Sequence, residues 1–325
     1  MTADNPQVPW TDEQWARVNQ VIQEEASRVR VAATFLPLYG PLSADTDFVR
    51  KELINDDPPP PISIADRDII QLATLQVKVE VRGAQMADPE MRSVLALFRR
   101  AANVLARLED AIVFRGQPGG GRPPEGGAPP KIWEISGGGE NRGLLDDDND
   151  EQGPITDGES LVAGVSAAIG TLEGKGHFGP FAVVLDREFF NIAQRPGDGS
   201  YVLPQDRIVP FLGGGPLLRS STLPTSSGLV VALGGAPIEL VVAADMSVQF
   251  LQVTEKPRFL FRVREKIALR TKQPTAIITL TDEEPEGPQP SQKQKPNRAA
   301  AARAMTRRGG SSSARRRRRP HEPKE

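Results

Sequence analysis

The chain has 325 residues, 38% of them hydrophobic, with 30 Gly, 30 Pro and no Cys, which describes one or two globular domains interrupted by long irregular segments. The missing cysteines exclude disulfides, thiolate metal sites and Cys nucleophiles, and two distant histidines, His177 and His321, leave no basis for a His triad or a multi-His zinc site. The net charge of −2 conceals a split, because residues 287–325 hold 12 Lys/Arg against 2 acids and leave 28 against 40 in an acidic body.

The opening "MTADNPQVPW" is polar and lacks the cationic and apolar regions of a secretory leader, so a cytoplasmic protein is expected. In "WTDEQWARVNQVIQEEASRVRVAA", Thr11 stands at an N-cap position with Gln14 three residues on, the capping-box arrangement. Trp15, Val18, Ile22, Ala26 and Val29 follow at spacings of three and four, one apolar face of a helix that ends before Pro37. "YGPL" makes a turn, and "DDPPPP" makes a rigid extended spacer. In "LQVKVEVRG", Val77, Val79 and Val81 alternate with Lys78, Glu80 and Arg82. That is a half-exposed strand whose charged face suits solvent or a neighbouring subunit.

Asp88-Pro89 opens the strongest helical signal in the chain. Met91, Leu95, Phe98, Ala102, Leu105, Glu109 and Ile112 share one face, and the helix stops at Gly116. Residues 117–153 then loosen into "QPGGGRPPEGGAPP", "KIWEISGGGENRG" and "LLDDDNDEQG", an inserted flexible surface loop. No phosphate-loop or dinucleotide fingerprint frames its glycines. A helix "GESLVAGVSAAIGTL", a strand "PFAVVLD" and a helix "REFFNIAQ" follow. Strands are expected at 229–233, 238–242, 248–253, 259–263 and 275–280. The apolar run "GLVVALGGAPIELVVAAD" is broken by Pro237 and Glu239, so it is two strands and no membrane span. The order predicts an α+β fold without internal repeats. After Asp282 the Pro, Gln, Lys, Arg and Ser composition predicts a disordered basic tail.

The succession "W…EEASR", "YGPL", "VEVRGAQMADPEM", "AANVLARLEDAIVFRG", "GPFAVVLDREFFNIA" and "FLFRVREKIALRTKQPTAIITL" resembles an encapsulin across about residues 8–282. Encapsulins are nanocompartment shell proteins with the tailed-phage capsid-like (HK97-type) fold. The resemblance implies an N-terminal helical arm at 1–44, an extended E-loop at 45–88 and a P-domain spine helix at 89–116. It further implies the inserted loop at 117–153, an A-domain at 154–243, P-domain return strands at 244–282 and the tail at 283–325. The long loop and the tail depart from the family's usual pattern. Deletion of Ser136–Asp150 is expected to leave assembly intact.

Glu109 and Asp110 raise the question of acid–base chemistry against structural pairing. Glu109 lies on the apolar stripe with no His or Cys to assist it, so both acids are assigned to structural ion pairing with an Arg across a packed face. His177 reads as an exposed loop histidine, and the acidic run 146–151 reads as solvated. No catalytic residue, metal or cofactor is expected. Pro196, Gly197, Asp198, Gly199 and Ser200 match the region that lines the family's five-fold pore, with an ordinary surface turn as the other reading. A repeated Asp198 would favour small cations. Val18, Ile22 and Val29 are candidates for the groove that receives a cargo protein's docking peptide. The cargo would carry oxidative or iron-related chemistry. Arg315, Arg316, Arg317, Arg318 and Arg319 repel one another and present either a solubilising tail or a site for nucleic acid or another polyanion. The rival reading of the whole chain is a phage or prophage major capsid protein. Against it, the first helix starts within about a dozen residues and leaves no room for a scaffolding segment.

Overall fold

Alternating valines and one long apolar helix face determine the first layer of the structure, a computed structural model that describes residues 8–56, 61–117, 132–139, 142–146, 149–197, 201–256 and 258–283. Thr11 caps α1 (Asp12–Val29), and Gln14 Oε1 returns the bond by accepting from the Thr11 N–H at 2.9 Å. A single turn, α2 (Ala32–Phe35), and an edge strand, β1 (Leu38–Tyr39), follow. The next four strands are β2 (Phe48–Arg50), β3 (Leu53–Asn55), β4 (Ser63–Ala65) and β5 (Ile69–Gln71). They form an arm of two antiparallel ribbons, β2 with β5 and β3 with β4.

The chain leaves the arm through β6 (Ala73–Arg82), a turn α3 (Gly83–Met86) and the long α4 (Arg92–Arg115). α4 begins three residues later than Pro89 suggests. Met91 adopts the left-handed conformation (φ 53°), and Asp88 accepts from the Glu90 and Arg92 N–H groups at 3.0 and 3.3 Å. Beyond it lie β7 (Trp133–Gly137), β8 (Asp150–Gln152), α5 (Gly158–Gly174), β9 (Phe181–Leu185), α6 (Arg187–Ala193) and α7 (Pro204–Ile208). The remaining strands are β10 (Leu217–Arg219), β11 (Ser227–Ala232), β12 (Ile238–Val253), β13 (Arg258–Thr271) and β14 (Ile277–Thr281).

The first sheet runs β1-β12-β13-β6-β7. Ala73, Leu75, Val77, Val79 and Val81 of β6 point to one side, where α1 and α4 cover them. Trp10, Trp15, Phe98 and Phe261 interlock there, with Trp10 stacked 4.9 Å from Phe261. The second sheet runs β10-β9-β11-β14-β8 and serves two cores. Ala182, Val184, Leu229 and Val231 face the first core, while Phe181, Val183, Leu185 and Val230 face a second one under α5, α6 and α7. Burial on both faces explains why "FAVVL" and "LVVA" read as unbroken apolar runs.

Two expectations change. β12 is one 16-residue strand where two were expected, because bulges between Val242 and Ser247 absorb the interruption without breaking the ladder to β13. The segment at 117–153 is not a loose loop throughout. β7 adds to β6, β8 adds parallel to β14, and Leu144 is fully buried. The Leu144 and Leu145 N–H groups donate to Val113 and Phe114 O at 2.9 and 2.8 Å, which satisfies carbonyls at the α4 C-terminus. Deleting 136–150 would therefore remove core, strand and helix-end partners together.

Candidate functional site

Glu109 and Asp110 lie on α4 where the α1–α2 turn crosses it and β13 passes beneath, and both are buried. Arg30, the residue that ends α1, inserts between the elements. Its Nε lies 2.5 Å from Glu109 Oε2, an ion pair whose N–H direction is poor for a hydrogen bond. The same guanidinium donates to Glu265 of β13 and, at 3.2 Å, to Asp245 of β12. One cation thus ties the end of α1 to three other elements.

Its charge balance is unusual. Glu109 and Glu265 are both buried beside a single arginine. Burial pushes the Glu109 carboxyl up against the pull of Arg30. Burial, then the charge of Glu109, pushes Glu265 well above the usual carboxylate range. Burial disfavours the Arg30 charge, but Glu265, Glu109 and Asp245 outweigh it and keep the guanidinium ionised.

Asp110 takes different partners from those assigned to it. Its carboxyl accepts from Val31 N and Ala32 N at 3.0 and 2.9 Å, so it caps α2 from a neighbouring helix and makes no direct ion pair among the described residues. Burial and then the Glu109 charge push it up to about 8, while the two backbone donors pull the other way. This cluster is a junction that joins elements, with acids held against a cation and against backbone.

A second set of charges holds the arm to the body. Arg270 of β13 is buried, pairs with Glu239 of β12, and reaches Glu52 Oε2 and Arg50 O of the arm, each at 3.3 Å. Its guanidinium also lies 4.3 Å from the Tyr39 ring centre. Lys266 bonds Asp47 at 2.6 Å, and Ile54 N donates to Lys272 O. Beyond this root the arm exposes apolar side chains, with Ile62, Ile64 and Ile69 exposed at 75, 63 and 62% and Phe48 at 50%.

The other sequence-assigned residues fall in separate places. Pro196 and Gly197 follow α6, and Asp198, Gly199 and Ser200 lie outside the described residues, as do Arg315–Arg319. Val18 and Ile22 are fully buried in the first core, and Val29 is half-buried. A docking peptide therefore cannot reach the first two. His177 is buried, not exposed, with Nε2 2.8 Å from Thr275 Oγ1, and burial lowers its pKa. In the acidic run, Asp146 pairs with Arg142 and Asp150 with Lys175. Among the described residues no group of acids and histidines is arranged to hold a metal. No described helix is long and apolar enough to cross a membrane.

Sequence reasoning missed Arg30, Asp245 and Glu265. A signal for Glu265 was present, since it occupies the apolar parity of "FLFRVREKIAL" after Phe259, Phe261 and Val263. Arg30 carries no such mark.

Comparison with known proteins adds the following. Residues 2–123 and 136–268 match the family model Linocin_M18, described as an encapsulating protein for peroxidase. The chain is 27% identical over 289 residues to the type 1 encapsulin shell protein EncA of Myxococcus xanthus, covering 84% of this chain and 93% of that one. Its fold is similar to a virus-like particle from Pyrococcus furiosus, at a TM-score of 0.63 and 15% identity over 82% of this chain and 99% of the other. It is also similar to the capsid of an empty GTA particle, at 0.51 and 15% over 77% and 88%. The fold is α+β and capsid-like.

Proposed function

The chain belongs to the encapsulin family, and from that premise we propose that it is a shell protomer that closes with copies of itself into an icosahedral compartment around a cargo protein. The observation that carries the reading is the arm. Ile62, Ile64 and Ile69 are exposed on ribbons whose root is held by buried charge. A two-stranded ribbon with an open apolar surface gains stability only when another surface covers it. A second copy supplies that surface by symmetry, and a closed assembly leaves none uncovered. The rival phage-capsid reading shares the fold alone, whereas the family match favours the compartment.

In this reading the reaction chemistry belongs to the cargo, and the family's description supports an oxidative one such as a peroxidase. Small molecules would pass through openings lined by residues 196–200, where repeated Asp198 favours cations. Since Val18 and Ile22 are buried, the docking peptide would meet Val29 and the open side of α1. In this reading the arm is the E-loop, α4 with the first sheet is the P-domain, and the second sheet with α5, α6 and α7 is the A-domain. The compartment would reside in the cytoplasm. Its basic tail is proposed to attach a polyanion.

Ile62→Asp/Ile64→Asp tests the central reading. Wild type should elute as a megadalton-scale particle and show hollow shells by electron microscopy. The variant should keep its circular dichroism spectrum and run as small oligomers. Particles of unchanged yield from the variant would remove the arm from assembly, and a wild-type monomer would end the shell reading.

A further inference from the structure

From Arg92 to Arg107 the helix α4 contains no acidic residue. Its first two carboxylates, Glu109 and Asp110, are both buried in the junction. The open side of the helix therefore carries one sign of charge. Arg92, Arg99 and Arg100 are exposed and Arg107 is half-buried. At 3.6 residues per turn the four fall within an arc of about 100° and run about 22 Å along the axis.

None of the four makes an ion pair among the described residues, and Arg100 donates only to Asn103, at 3.3 Å. The carboxylate whose field reaches Arg99, that of Glu25, is already held by Arg28 and by Asn103 Nδ2. Arg107 keeps a buried Nε without an acceptor. In a body whose acids outnumber its bases, four arginines without an ion-pair partner among the described residues form a ridge on α4 that attracts anions.

We propose that this ridge binds the phosphodiester backbone of single-stranded nucleic acid. Arginine presents a planar fork that takes phosphate oxygens two at a time and stacks on bases, which a lysine face does not offer. A linear array matches a linear polyanion and suits a compact anion poorly. Ala96 lies between the arginines and the partly exposed Leu97 borders them on one side, apolar surface that can lie against unstacked bases. An acidic segment of a second copy is the competing occupant, and it makes the opposite prediction below.

The test uses the full chain, with R92Q/R99Q/R100Q against wild type, the Lys triple R92K/R99K/R100K, and a separate chain with Arg315–Arg319 changed to Gln. Two readouts are taken: particle formation by electron microscopy, and salt-dependent binding of a fluorescent oligothymidylate to protein held below its assembly concentration. Each phosphate neutralised on a single strand contributes about 0.7 to the log–log salt slope, so losing three arginines should reduce the slope by about 2. The Lys triple should keep most of that slope, because its charges remain. The tail variant should lower binding separately while leaving the ridge contribution in place. A Gln triple that binds with unchanged slope overturns the proposal, whether or not particles form. A Gln triple that loses particles but not binding assigns the ridge to a second copy. Retained particles with the reduced slope establish the ridge as the nucleic-acid surface.

Discussion

Arg30→Met isolates what the junction does. Methionine keeps most of the volume and the apolar stem, so the perturbation removes one charge and its donors. Glu109 and Glu265 are then buried without a cation, and Asp245, half exposed, falls back to solvent. Removing one partner of a buried pair costs about 3–5 kcal/mol, because the remaining charge stays desolvated. Glu109→Gln should behave otherwise. Arg30 keeps Glu265 as a partner, and without the neighbouring charge that carboxyl ionises more readily, so the loss reduces to about 1–2 kcal/mol of hydrogen bonding. The double variant should be no worse than Arg30→Met, because the unpaired acid has gone. Trp10 and Trp15, packed edge to face at 5.1 Å on the same layer, report α1 docking by fluorescence during urea unfolding at fixed protein concentration. Equal destabilisation by Arg30→Met and Glu109→Gln, or a double variant worse than either, would refute Arg30 as the charge that holds both buried acids.

Stability should also fall with pH. Asp110 is pushed up from 3.8 to about 8, so its proton favours the folded state most at acid pH, and that contribution is lost as pH climbs from about 4 to about 8. Asp110→Asn keeps an acceptor for the α2 turn and should flatten the melting temperature across that window, and an unchanged pH profile would contradict the assignment. Leu144→Ala should destabilise by about 2–5 kcal/mol, since the side chain is fully buried, and removal of 136–150 should abolish folding. Soluble, folded deletion protein would show the segment to be dispensable.

What was legible follows from how locally each feature is encoded. α1 announced itself through Thr11 and Gln14, and α4 through seven apolar-face positions, because caps and helical period depend on neighbours within a turn or two. Val77, Val79 and Val81 announced β6 for the same reason. β7 and β8 were hidden because each adds to an existing edge. The template is distant, and Gly-rich flanks of a strand resemble those of a loop. The junction was half visible. Glu109 in an apolar phase demanded a cation, but Arg30, 79 residues away, could be named only once α1 lay across α4. The burial of Val18 and Ile22 was not legible, because an apolar stripe does not say which of its residues the core takes.

The first sheet has a consequence for synthesis. Glu80 of β6 meets Arg258 of β13 across 178 residues of chain. At about 5–20 residues per second, a ribosome needs about 9–36 s to deliver the second strand after the first. During that interval α1, the arm and α4 are in the cell with their sheet unfinished, so the apolar faces of the nascent chain need shelter. The delay also orders events. Arg270 and Lys272, which hold the arm at its root, emerge after the rest of that sheet. An arm presented to other copies in its anchored form is thus a mark of a finished subunit, a checkpoint in time that the linear order of the gene imposes without any added factor.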